Sequence, residues 1–331
     1  MYSTQIRRHR TCLIIGLVTA LCGCEVSKGP SSSFEIASKG TYSASYDATG
    51  QHLVIGSIYH GGSLWDKRGE RLFNWNHKAK EASVIIATSI SHNGKWAATA
   101  EKSAFAIWSL ESGQATAYVA TPGDVLDIAL SANGNLLLVG LTNNAALLYQ
   151  TRTQRVVRTF QHRNTVRTVA LSADGRFALT GSEDRTAILW DVNSGKSLVT
   201  KEHEDDVQQV AISDNGELAM SAAQYDKAIV WRTNTGKELG QLPLGAQRLA
   251  RGTRFTAARF SADGNRLLTG QPNRLVQLWD VNSLKLLDKW ELPKRNAWKP
   301  TSASVQAVAF TSKNSFHAVG SNGFAHKLTR D

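Results

Sequence analysis

The sequence predicts an all-β protein, a ring of seven small antiparallel sheets of four strands each, and three observations carry that prediction. A unit of roughly 41 to 49 residues recurs along almost the whole chain, which is the mark of a repeat architecture. Within six of the copies a turn glycine (Gly50, Gly94, Gly134, Gly175, Gly216, Gly264) precedes an aromatic (Trp65, Trp108, Tyr149, Trp190, Trp231, Trp279) by 14 or 15 residues. The clearest copy, residues 166–198, reads VRTVALSADGRFALTGSEDRTAILWDVNSGKSL: short apolar runs cut by tight polar turns.

Each run in that copy is a strand. VRTVALS alternates apolar and polar residues, and the Asp-Gly pair after it is a strong hairpin signal, because both residues tolerate positive φ. RFALTG is the second strand, SEDR a turn, AILWDV the third strand, Asn-Ser-Gly another turn, and KSLVTK the fourth strand. The other copies begin at Ser43, Ser89, Ile128, Val207, Thr256 and Val305. The seventh stops at Asp331, straight after its third strand. An open sheet edge there is a pairing liability. The spare segment SFEIAS, residues 33–38, is expected to supply the missing outermost strand and close the ring by joining the two ends of the chain.

Four short strands per unit of this length make a propeller blade, so the fold class is a seven-bladed β-propeller over residues 33–331. The units resemble the WD-repeat family: Trp-Asp stands at Trp65-Asp66, Trp190-Asp191 and Trp279-Asp280. The resemblance implies a buried hydrogen-bond network in the best copy, built from His162, Thr180 or Ser182, Asp184 and Trp190. His203 and Trp231 repeat part of it, but Tyr225 occupies the Asp position and Asp226 falls one residue late. The network is therefore expected to be complete in one blade only, the other blades being read as lacking the His.

Ahead of the repeats, Arg7, Arg8, His9 and Arg10 precede the 14-residue run TCLIIGLVTALCGC. A membrane span needs roughly 20 apolar residues, so this run reads as an export signal. His9 and Arg10 stand where a twin-arginine signal wants apolar residues. Leu21, Cys22, Gly23 and Cys24 resemble the lipobox of bacterial lipoproteins. The resemblance implies that residues 1–23 are removed and that Cys24 carries the acyl chains and anchors the protein to a membrane. Glu25, where inner-membrane lipoproteins typically show Asp, points to the outer membrane. Residues 24–32 are rich in Gly, Pro and Ser and read as a flexible tether. Cys12 and Cys22 leave with the signal, so a thiol or disulfide chemistry of the mature chain is not expected.

Without residues 1–23 the chain has 35 basic and 27 acidic residues. Outside the cytoplasm that balance suits acidic proteins or anionic envelope surfaces, and nucleic acid is not an expected partner. The sequence holds no His-Glu-x-x-His, no Gly-x-Ser-x-Gly and no phosphate-cradling loop. No enzyme activity, cofactor or metal is expected; His317 and His326 fall on adjacent strands, but no carboxylate is placed beside them. The interblade loops are more informative. Loops around the sixth unit carry Arg248, Arg251 and Arg254, then Lys294, Arg295, Trp298 and Lys299, and the loop after the first blade adds Lys78 and Lys80. The loop before the fifth blade is acidic, with Glu202, Glu204, Asp205 and Asp206. Blades six, seven and one are neighbours in a closed ring, so the basic loops form one sector and the acidic loop lies nearly opposite. That pattern would steer an acidic protein partner, with Trp298 as its apolar anchor; a merely solvated charged surface is the alternative. The expected function is a lipid-anchored protein-binding module facing the periplasm. The competing readings are a propeller hydrolase or lactonase with a site at the channel mouth, and a binder of an acidic envelope polymer.

Overall fold

The computed structural model describes residues 27–77, 83–225, 227–243, 255–296, 298 and 303–330. It contains seven separate four-stranded antiparallel sheets. Their innermost strands are Thr41–Tyr46, Ala87–Ile90, Val125–Leu130, Val166–Leu171, Val207–Ile212, Ala257–Phe260 and Val305–Phe310. Each contacts the next around a circle, and Thr41–Tyr46 contacts Val305–Phe310 to complete it. The fold is a seven-bladed β-propeller. We number the blades one to seven in the order of those strands.

The first hairpin of most blades is built on the same local device. In blade four the Ser172 hydroxyl accepts the Phe177 N–H at 3.0 Å and donates to Asp174 at 2.7 Å. Ser91, Ser131, Ser213 and Ser261 repeat the arrangement with Asn93, Asn133, Asn215 and Asp263. This is the physical content of the recurring Ser-x-Asn/Asp-Gly signature: the polar side chains satisfy turn N–H groups, and the glycine takes a left-handed φ, 73° at Gly175. Because the strands of a blade alternate in direction, these first turns and the third-to-fourth-strand turns lie on one face of the disc, the turn face. The second-to-third-strand turns and the interblade loops lie on the other, the loop face.

The core lies between blades. Buried clusters pair neighbouring sheets, such as Phe105, Ile107, Leu137 and Tyr149 of blades two and three. Trp75, Trp231, Trp279 and Trp290 are fully buried in such seams. Side chains of the inner strands also reach the backbone of the next blade. Ser89 accepts the Leu130 N–H at 3.0 Å, Asp127 that of Val169 at 2.9 Å, and Thr168 that of Val210 at 3.3 Å.

The ring closes through the N-terminal segment, in slightly different register from the expected residues 33–38. The outermost strand of blade seven is Ser32–Glu35, paired antiparallel with Phe324–Thr329. Ile36 and Ala37 then turn inward: both N–H groups donate to the Gly323 carbonyl, and both side chains are buried between blades seven and one. Gly323 has φ +84°, and a Cβ there would collide with the Ala37 carbonyl, so only glycine admits this crossing. The tether expected over residues 24–32 is also corrected from Ser27 onward. Lys28 forms a parallel bridge to Trp290, donating to the Lys289 carbonyl at 3.0 Å and accepting the Glu291 N–H at 2.8 Å, and its ammonium meets Asp288 at 3.0 Å. Strand Leu286–Glu291 is the outer edge of blade six, and its open backbone groups offer a Gly- and Ser-rich segment partners that composition does not reveal.

Candidate functional site

Blade four contains a continuous buried chain of hydrogen bonds. The Trp190 indole donates to the Thr180 hydroxyl at 2.8 Å, Thr180 donates to His162 Nε2 at 2.6 Å, and His162 Nδ1 donates to Asp184 at 2.9 Å. Asp184 fixes which ring nitrogen carries the proton. Burial lowers the His162 pKa, so the ring is neutral and can accept at Nε2. Burial pushes the Asp184 carboxyl up, but hydrogen bonds from Thr186, the Arg163 N–H and His162 outweigh it and hold the group below its ordinary range. Between the two hydroxyls named in the sequence, Thr180 takes the central place. Ser182 instead braces the turn, accepting the Asp184 N–H and donating to the Asn164 carbonyl, both at 3.0 Å.

Blade two holds a network of the same form that the sequence reading missed. His77 Nε2 lies 2.8 Å from the Thr99 hydroxyl, which accepts the Trp108 indole N–H at 2.8 Å. Glu101 stands on the Asp side of the ring but is 3.7 Å away, and His77 Nδ1 has no hydrogen-bond partner. The expectation that blades other than four and five lack the His is therefore wrong, while blade four alone among the described residues carries the hydrogen-bond chain from Trp through Thr and His to Asp. His77 precedes Trp108 by 31 residues, whereas His162 precedes Trp190 by 28 and His203 precedes Trp231 by 28, so the longer interblade segment hid it. In blade five His203 reaches Ser221 at 3.0 Å, while the buried Trp231 N–H has no partner. These side chains brace blades and present no surface to a partner.

The loop face carries the exposed chemistry. Trp298, in the loop from blade six to seven, is 96% exposed; its backbone N–H is held by Asn296 at 3.0 Å. Two further exposed aromatics belong to blade one, Tyr42 at 47% where its first strand begins and Tyr59 at 63% in its second hairpin. Val84, entering blade two, and Tyr225, in the second hairpin of blade five, are also exposed. Blade one lies directly beside blade seven: Thr41 donates to the Ser321 carbonyl at 3.0 Å. Trp298, Tyr42 and Tyr59 thus occupy one sector of one face.

The expected basic residues divide. Lys78, Lys80, Arg248, Arg251, Arg254 and Lys299 lie outside the described residues, as does Cys24. Lys294 is half-buried. Arg295 is committed to the fold: its guanidinium donates to the carbonyls of Asn322 at 2.8 Å and Ala37 at 2.6 Å, pairs with Glu35 at 3.0 Å, and stacks 4.8 Å over the Phe324 ring. It locks the closing segment and leaves little donor capacity for a partner. On blades four and five, burial followed by the like charges of Glu183 and Asp205 raises the Asp206 pKa, while Arg167, paired with Glu183 at 2.7 Å, and Arg185 act against it, so the acidic loop stands among cations.

An axial cavity of ≈ 330 Å³ is lined by inner-strand residues including Thr88, Asp127, Gln209, Arg259 and Gln306. At its turn-face end side chains from blades two, five and six meet across the axis: Arg259 donates to His92 at 3.4 Å, and His92 and Arg259 lie 3.6 and 3.9 Å from Asp214. Burial raises the Asp127 pKa to about 6, although backbone N–H groups of Ile128 and Val169 occupy its two oxygens. Among the described residues no three His, Cys, Asp or Glu side chains gather as metal ligands. His326 bonds Ser33 at 2.7 Å and His317 packs on the Tyr46 ring, so the two histidines face different neighbours.

Residues 154–191 match the family described as WD domain, G-beta repeat. That stretch runs from the outer strand of blade three to the end of the third strand of blade four, where the His-Thr-Asp-Trp network is complete. No curated protein matches the chain.

Proposed function

We propose that this seven-bladed propeller, in which residues 154–191 match a WD-repeat family whose propellers typically serve as protein-interaction scaffolds, is a docking module without enzymatic activity, held to an envelope membrane on the periplasmic side by lipid on Cys24. The observation that supports docking most directly is the exposed aromatic sector on the loop face. Burying a side chain the size of Trp298 against a partner recovers a large apolar area at little conformational cost, and Trp and Tyr dominate interface hot spots. Lys294 precedes Trp298 by four residues in the same loop, and Glu204, Asp205 and Asp206 stand in the loop before blade five, across the ring. The resulting field orients an acidic protein partner with its negative surface over blades seven and one.

Crosslinking in intact cells, followed by identification of the captured protein, tests the reading. A Trp298→Ala, Tyr59→Ala double variant is expected to lose at least ten-fold in capture with an unchanged melting temperature. Equal capture by the variant rejects the loop-face site. Binding to a purified acidic envelope polymer that disappears at 0.5 M salt would favour the polymer reading, because an aromatic-anchored interface survives screening.

A further inference from the structure

The N-terminal segment reaches the disc along a single edge. Ser27 bonds Glu291, Lys28 bridges to the outer strand of blade six, and Ser31 passes its N–H to the Lys327 carbonyl at 2.8 Å before Ser32–Glu35 completes blade seven. This strap crosses from the rim of blade six to the rim of blade seven and fixes where the preceding residues depart. Cys24 is four residues before Lys28. Even fully extended, four residues span at most about 14 Å.

We propose that the rim of blades six and seven is the interaction surface the propeller turns toward a phospholipid bilayer, with Lys285 and Lys327 set against its headgroups. The proposal rests on the reading of Cys24 as the lipid-bearing residue, and it adds the orientation. A short leash attached at one edge cannot bring the opposite edge to the membrane surface, whereas a long free tether could have presented any side.

The charges on this rim agree with that placement. Most of its carboxylates are already matched: Asp288 by Lys28 at 3.0 Å and by Arg330 at 4.0 Å, Glu291 by Arg274, and Glu35 by Arg295 at 3.0 Å, while Asp280, in the turn that carries Lys285, is held by the Ser283 N–H and hydroxyl. Lys285 and Lys327 are exposed and form no ion pair among the described residues. Headgroup attraction decays within a Debye length, roughly 10 Å at 0.1 M salt, so it acts only on lysines that the leash keeps near the surface. The disc then stands on its edge, and the aromatic loop face points sideways, open to a partner.

No cysteine follows Cys24, so Lys285→Cys, Lys327→Cys and Leu198→Cys each place one reactive thiol on the lipid-bearing chain. Leu198 is an exposed outer-strand residue of blade four, across the ring. Each is labelled with an environment-sensitive fluorophore and reconstituted into vesicles of phosphatidylethanolamine and phosphatidylglycerol carrying a headgroup-attached quencher. Labels at 285 and 327 are expected to be quenched at least two-fold more than the label at 198. Hydrogen exchange of the unlabelled chain should slow on the vesicles in residues 285–289 and 325–329, and not in 197–202. Mass spectrometry of the same samples separates the two ways of failing. A bare Cys24 thiol overturns the anchor and the orientation together; a lipidated chain with equal quenching at all three positions, or stronger quenching at 198, overturns the orientation alone.

Discussion

Acid should loosen the blade that joins the two ends of the chain, and His326 gives the effect a size. Its side chain is buried, with Nδ1 2.7 Å from the Ser33 hydroxyl of the closing strand and Nε2 without a partner. Burial pushes its pKa down to about 4, against an ordinary value of about 6.5. Between those values the unfolded chain binds a proton that the folded chain refuses. The stability contributed by the neutral ring is therefore complete above pH 6.5 and is lost as pH falls toward 4. The full loss is about 3 kcal/mol, of which about 2.5 kcal/mol is gone by pH 4.5, or roughly 4 °C in melting temperature for a domain of this size. A His326→Gln variant keeps a polar group at the site but cannot titrate. Urea denaturation of both proteins at pH 7 and pH 4.5 isolates the contribution: the wild type should lose about 2.5 kcal/mol more than the variant over that interval. His77, His92, His162 and His317 are also held low by burial and steepen both curves equally, so the difference belongs to His326. If the two proteins lose the same stability between the two pH values, the burial argument for this histidine is wrong.

Deleting residues 27–35 removes four ladder residues and the Phe34 contact with the Gly69 turn of blade one, at a cost of roughly 3 kcal/mol, and bares a sheet edge; a lower melting midpoint and self-association on size exclusion are expected, and an unchanged midpoint would refute closure by this strand. Thr180→Val strands both the Trp190 N–H and His162 Nε2 and should cost about 3 kcal/mol in urea denaturation, whereas Thr180→Ser should cost less than half as much; equal losses would mean the hydroxyl is not what matters. Asp127 titrates in the opposite direction to His326: with its pKa raised to about 6, the folded chain holds a proton that the unfolded chain releases, so its contribution grows as pH falls from 6 to 4. Asp127→Asn should abolish that gain, about 3 kcal/mol in full, and a stability difference between the two proteins that does not vary with pH would contradict it.

The repeat was legible because its signals are local. A Ser-x-Asn/Asp-Gly turn is satisfied by its own neighbours, so Ser172, Asp174 and Gly175 announce a hairpin whatever surrounds them. Closure by the N-terminus was legible for a different reason, the missing fourth strand of the seventh unit. What stayed hidden depends on contacts between distant residues. Nothing near Lys28 reveals that the edge of blade six, more than 250 residues later, will hold it. Arg295 looks like a surface cation until the Asn322 and Ala37 carbonyls and the Phe324 ring are seen around it. The exposed tyrosines of blade one were missed because an exposed and a buried tyrosine read alike; Tyr46, four residues from Tyr42, is buried.

The uneven blade chemistry follows from how a ring distributes stability. A propeller blade leans mainly on its neighbours, so a weak blade can be held by strong seams. Blade three has no His-Thr-Asp-Trp network; Tyr149 takes the Trp position and its buried hydroxyl has no partner. Yet Asp127 ties this blade to the Val169 N–H of blade four, Ser89 of blade two holds its Leu130 N–H, and Phe105 packs edge-on against Tyr149 at 5.1 Å. Each tie replaces a bond within a blade by one between blades. Sequence change at the Trp and His positions is therefore tolerated wherever the inner-strand ties persist, which explains why the family match falls on blade four while the geometry repeats seven times. A Ser89→Ala change should accordingly cost more in an Asp127→Ala background than alone, because blade three would then lose both seams, and additive losses would show that the ties act independently.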